Sequence, residues 1–131
     1  MSTVLQRPPA QPVARLRLAP HGPRPRRIDG AWWPRSRDLM IELPLLIGAL
    51  PPTWGHVTGA AVNADIWAAS PGRLLIAGHV LRLRREPGSR NRHTICLLSP
   101  GRGRWDLLVV PPEVAACDAE RLMAAAAAEV C

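Results

Sequence analysis

The chain has 131 residues, enough for one domain and a short tail. Its 47% hydrophobic content and mean hydropathy of −0.01 support a single core in water. The longest apolar stretch, residues 43–50, is far shorter than a bilayer is thick and carries Pro44 and Gly48, which excludes it as a membrane span. All 17 basic residues are arginine, and the formal charge of +7 is uneven: +6 over residues 1–27, −1 over 28–81, +4 over 82–92 and −2 over 93–131. The positive charge therefore sits on a tail and one hairpin, which weakens it as evidence for a nucleic-acid protein.

Residues 1–12 contain Pro8, Pro9 and Pro12 with little to bury and are expected to be a disordered tail, leaving 13–131 as a single domain. The amino end lacks a charged segment leading into an apolar one, so no secretory signal is expected. Cys96, Cys117 and Cys131 are odd in number and show no short paired spacing. That argues for reduced thiols in a cytoplasm rather than a disulfide framework. Cys131, as the last residue, does not form a prenylation box.

Val13 to Leu18 alternates, with Ala14, Leu16 and Leu18 on one side and Arg15 and Arg17 on the other, which predicts a half-buried strand. A Pro-rich loop follows over residues 21–27. Ser36 is a good helix N-cap, with Asp38 in the first turn, and Leu39, Leu43, Leu46, Ile47 and Leu50 repeat at helical spacing. Pro44 would interrupt this repeat, so the expectation is a short first turn and a helix proper from about Pro44 to Pro51-Pro52.

A strand over His56–Val62 leads into a turn at residues 63–67 that places Trp67 on the core. Arg73–Arg85 reads as one long strand with Leu75, Ala77, His79, Leu81 and Leu83 in a single register. Further strands are expected at His93–Leu98 and Trp105–Val110, separated by turn signals at residues 86–89 and 99–103. Glu113–Val130 closes the chain as a helix whose small face includes Val114, Cys117, Leu122 and the run Ala124–Ala128. The predicted fold is α+β: an antiparallel sheet of about five strands in the order β-α-β-β-β-β-α, with both helices on one face.

The densest chemistry lies in Asp29-Gly30-Ala31-Trp32-Trp33-Pro34-Arg35-Ser36-Arg37-Asp38-Leu39. Adjacent tryptophans at a strand edge point to opposite faces, so one need not be core and Arg35 or Arg37 could stack on it. Trp33, Arg35, Arg37 and Asp38, with Asp106 as an internal ion-pair partner of Arg35 or Arg37, form a candidate site for a small anion or a protein partner. The structural alternative is a capped helix start with both indoles wedged between helix and sheet.

A second candidate is the basic hairpin of Arg82, Arg84, Arg85, Arg90 and Arg92, with Arg82 and Arg84 on one face, which suits nucleic-acid phosphate. Its alternative is a solvated edge that resists strand addition. No metal site is expected: His93 and Cys96 face opposite sides of a strand, and His21, His56 and His79 are scattered. No catalytic motif or cofactor fingerprint is present, although His56 and His79 could act as bases if they met in a pocket. An enzyme reading would require a deep pocket joining Asp29, Arg35, His79 and Asp106.

The chain resembles a set of small uncharacterised actinobacterial proteins known as a domain of unknown function. The resemblance rests on Arg15-Leu16-Arg17-Leu18, the segment 29–39, Glu42-Leu43-Pro44, Trp67 and Asp106-Leu107-Leu108-Val109-Val110-Pro111-Pro112, and covers roughly residues 13–128. It implies a cytoplasmic protein and no particular activity, and makes the arginine- and alanine-rich composition unsurprising. The leading expectation is a small, non-enzymatic binding domain without a cofactor that recognises a protein or small anion. A nucleic-acid binder and an enzyme with an unrecognised site are the alternatives.

Overall fold

A computed structural model describes residues 13–20, 28–68, 71–86 and 93–128. The expected tail, the Pro-rich loop, the turn carrying Arg90 and Arg92, and Cys131 lie outside the described residues. The elements in order are β1 (Arg15–Leu18), β2 (Gly30–Trp33), α1 (Leu39–Ala49), a 3-10 turn (Pro52–Trp54), β3 (Gly59–Asn63), β4 (Arg73–Ile76), β5 (His79–Glu86), β6 (Thr94–Ser99), β7 (Gly103–Val109) and α2 (Ala116–Ala128).

The strands form one seven-stranded sheet in the order β1-β2-β7-β6-β3-β5-β4. The fold is α+β as expected, but the sheet is mixed, not antiparallel: β2 runs parallel to β7 and β3 parallel to β5. Both added strands have local causes. The Trp pair does not border a strand but ends one, β2, whose Arg15↔Trp33 and Leu18↔Gly30 pairings tie it to β1.

The expected long strand over 73–85 breaks at Ala77 and Gly78, with φ of 50° and 83°. This two-residue hairpin turn requires φ > 0 at both central positions. Alanine there costs about 1–2 kcal/mol and is not the usual turn signal, so the break is poorly marked in sequence. The turn also changes the register. Leu74 and Leu81 are buried, whereas Leu75 is paired with Val80 on the opposite face and exposed.

The two helices cover opposite faces, correcting the one-face arrangement. Trp32 joins Leu39, Leu43 and Leu46 of α1 in a core that also takes Ala60, Val62, Leu81, Leu83, Ile95, Leu97 and Leu107. Ala31 and Trp33, pointing the other way, pack with Ala119, Met123 and Ala126 of α2. The period of two along β2 thus buries both indoles, one under each helix. The buried side of α2 uses Ala119, Met123 and Ala126, while Cys117 and Leu122 are exposed. No helix among the described residues is long and apolar enough to cross a membrane.

α1 is continuous through Pro44. The carbonyl deprived of its donor is that of Met40, four residues earlier, on the exposed side of the helix, which makes the loss tolerable. Its N-cap is Asp38, not Ser36: the Asp38 carboxylate accepts from the Met40 N–H at 3.0 Å.

Gly30 has a definite steric reason. A Cβ there would lie 2.5 Å from the Arg17 carbonyl oxygen and 2.9 Å from the Leu18 Cα, both backbone atoms that cannot rotate away. Gly30→Ala is therefore expected to push β1 off the sheet edge and destabilise the fold by about 1–3 kcal/mol. Urea denaturation would read this, and an unchanged midpoint would contradict the close approach.

Candidate functional site

The hydrogen-bonding groups around the Trp-Trp-Pro-Arg-Ser-Arg segment are largely taken up inside the fold. Trp33 is 9% exposed, and the cation over its ring is Arg15, at 3.6 Å, rather than Arg35 or Arg37. Arg15 also donates to the carbonyls of Trp33 and Pro34, at 2.9 and 3.0 Å. Its burial, then the nearby Arg35, lowers its pKa below the usual arginine value.

Buried Glu42 accepts the Arg35 N–H at 3.1 Å and the Ser36 hydroxyl at 2.8 Å, so the segment is locked to the first turns of α1. Arg35 donates to the Val13 carbonyl; Arg37 donates to the Ile66 carbonyl and, at 2.9 Å, to Glu113. Asp106 pairs with Arg104 at 3.6 Å, not with Arg35 or Arg37. Pro34, Arg37 and Trp67 line a cleft of about 70 Å3, the scale of a few waters, and the buried Trp67 indole N–H has no partner among the described residues.

A larger feature lies on the sheet face that α2 only half covers. Because cross-strand partners share a face, the register places Arg73, Arg82, Gly59, Leu98 and Arg104 in one row, and Arg84, Ala61, Cys96 and Asp106 in the next. Of these, Arg73, Arg82, Arg84, Leu98, Gly59 and Ala61 line an open trough of about 720 Å3 with Gly59 and Ala61 as its floor. Its size is in the range of ligand sites.

Arg73 stands directly opposite Arg82, an unfavourable like-charge pair. Neither guanidinium forms a hydrogen bond or ion pair among the described residues. Arg84 has Glu86 at 3.7 Å. Arg85 points to the other face, where its guanidinium holds the carbonyls of Ala64, Trp67 and Ala68. The hairpin arginines are therefore divided: Arg82 and Arg84 face the trough, and Arg85 pins the Trp67 turn. Arg73 was missed as a site residue because its place beside Arg82 exists only once the hairpin turns at Ala77-Gly78.

Cys96 lies on β6 beside Ala61, outside the trough lining, and is paired in register with Asp106. Burial and then the Asp106 carboxylate push its thiol up from 9.0 to about 11, so it is protonated at neutral pH and a poor nucleophile. Cys117 is exposed. A thiol-directed reagent at pH 7.5 should therefore modify Cys117 and spare Cys96 in the native protein; equal labelling would refute its burial. Because the folded pKa lies above the unfolded one, the neutral thiol's contribution to stability is complete below pH 9 and is lost as pH rises towards about 11.

His56 and His79 do meet. Their rings are 4.5 Å apart between centroids and tilted by 39°, beside a cleft of about 240 Å3 lined by Ile47, Val57, Ile76 and Leu81. No carboxylate or nucleophile lines that cleft. Asp29 and Asp106 are neighbours, with the Asp29 carboxylate accepting the Asp106 N–H at 2.9 Å. Arg35, bonded to Glu42 and Val13, and His79, tilted against His56, are engaged elsewhere, so the four groups required by the enzyme reading are not gathered in one pocket. Among the described residues no three His, Cys, Asp or Glu side chains converge as a metal site.

Comparison with curated proteins and with solved structures finds no match. A family of unknown function, DUF5994, matches residues 15–126, a span that runs from the first residue of β1 to near the end of α2 and includes both the Trp pair and the trough. The chain belongs to the DUF5994 family of unknown function.

Proposed function

We propose that this protein is a non-enzymatic binding module that takes an anionic partner on the open half of its sheet. The observation that carries this reading is the directly opposed Arg73–Arg82 pair, without carboxylate partners among the described residues, beside a trough floored by Gly59 and Ala61. Two adjacent guanidiniums cost the isolated fold repulsion, and an anionic partner converts that repulsion into attraction. The site moves from Trp33, Arg35, Arg37 and Asp38, whose groups serve the fold, to Arg73, Arg82 and Arg84. Asp106, paired with Arg104, lies outside the trough lining.

The protonated Cys96 and the separation of Asp106, Arg35 and His79 support binding rather than catalysis. Reduced cysteines and an arginine- and alanine-rich composition support a cytoplasmic protein of actinobacterial type. The test is fluorescence anisotropy of labelled poly-glutamate with the full-length protein, at low and at physiological salt, against Arg82→Glu. Binding that weakens with salt and is lost in Arg82→Glu supports the reading; equal binding by the variant overturns it.

A further inference from the structure

We infer that the occupant of the open half-sheet is an amphipathic α-helix of a partner protein, apolar on the side that meets the sheet and acidic along one flank. This rests on the anionic-partner reading and specifies its chemistry.

Three observations lead to a helix. First, the same face already accepts one. α2 lies on Ala31 and Leu108 through Met123 and the small Ala119 and Ala126, which allow close approach. The uncovered half repeats this surface: Gly59 and Ala61 form the floor, Leu98 lines it at 43% exposed, and the paired Val80 and Leu75, 54% and 73% exposed, continue the same face one row beyond Arg73 and Arg82. Large aliphatic side chains on an open sheet face call for a covering layer, not for water.

Second, the dimensions agree. From β5 across β3 to β6 is two strand spacings, or about 10 Å, the diameter of a helix with its side chains. A helix centred on β3 would lie three spacings, about 14 Å, from β2 beneath α2, so the two helices would sit side by side without overlap.

Third, the charge that lines the trough is one-sided. Arg73, Arg82 and Arg84 stand on the β4–β5 flank of the trough. Arg82 and Arg84 are two residues apart on a strand, about 6.6 Å, close to the ~6 Å rise between positions i and i+4 of a helix. Acidic side chains at that spacing would meet both.

Nucleic acid fits less well. Single strands are held by stacking bases on aromatic rings. The tryptophans are placed elsewhere: Trp32 stacks on Trp67, Trp54 stacks on Trp105, and Trp33 lies under α2. A second copy presenting the same basic face would be repelled.

The probe is a labelled helical peptide of ~14 residues with leucines at i, i+3, i+4 and i+7 and glutamates four apart on the adjacent flank, measured by anisotropy against full-length protein. Two controls accompany it: a scramble of the same composition and an oligo-dT strand. The expected result is at least ~10-fold tighter binding of the amphipathic peptide than of the scramble, with a gain in helical circular dichroism on mixing. Leu98→Glu should reduce binding ~10-fold or more, and Arg82→Glu should lose it, with recovery when the peptide's glutamates become lysines. Equal binding of peptide and scramble overturns the helix while leaving the anionic-partner reading intact, and tighter binding of oligo-dT does the same in favour of nucleic acid. Binding of none of the three, at low salt, overturns both.

Discussion

Arg82→Glu is expected to reduce affinity for an acidic partner by at least ~10-fold while leaving thermal stability unchanged or slightly raised. The two halves of this result have separate causes. In the free protein the substitution replaces an arginine facing Arg73 with a carboxylate, turning a repulsive cross-strand pair into an attractive one. Arg82 is exposed and its guanidinium has no hydrogen bond among the described residues, so nothing buried is lost. In the complex the same change places a negative charge where the partner's carboxylate must lie. A destabilising effect on the fold would mean that Arg82 serves a structural contact. Unchanged affinity would remove the trough as the site. Arg85→Glu is the informative contrast, because Arg85 holds three backbone carbonyls of the 64–68 turn and should affect folding.

Trp32→Ala is expected to destabilise the fold by about 3–5 kcal/mol, a large part of the 5–15 kcal/mol typical of a domain. Trp32 is 1% exposed, its ring stacks on Trp67 at 5.4 Å, and it contacts the core that joins α1 to the sheet. Removing it leaves a cavity between layers that cannot collapse, because Leu39, Leu43 and Leu46 are held by a helix whose start is tied down at Asp38 and Glu42. Thermal unfolding should fall by at least ~10 °C. A shift of a degree or two would show that this indole is not part of the central packing, and would return the Trp pair to consideration as a surface feature.

The Trp segment and the trough were unequally legible. That adjacent tryptophans face opposite ways follows from the strand period alone. That both are buried does not, because it depends on having one helix on each side of the sheet. Arg82 and Arg84 share a face by the same period, and the structure keeps them together. Arg85 differs by one residue and ends on the opposite side, in a structural role. Ser36 has the residue type of a cap yet donates to Glu42, since Asp38, two residues later, stands where the helical hydrogen bonds begin.

By itself the chain's sequence determined the elements with strong local patterns: the alternation over β1, the apolar run of β7 and the strand β6 between its turn signals, the existence of both helices, Trp67 as a core residue and the concentration of arginine near residue 82. Those depend on side-chain period and on capping chemistry within a few residues. Tertiary structure alone decided the rest. The parallel pairings of β2 with β7 and β3 with β5 join segments distant in the chain, and no local pattern states which strand will be the neighbour. The Arg73–Arg82 opposition depends on a hairpin made by an alanine in a left-handed conformation. The trough exists because α2, a single helix, is too narrow to cover a face of seven strands.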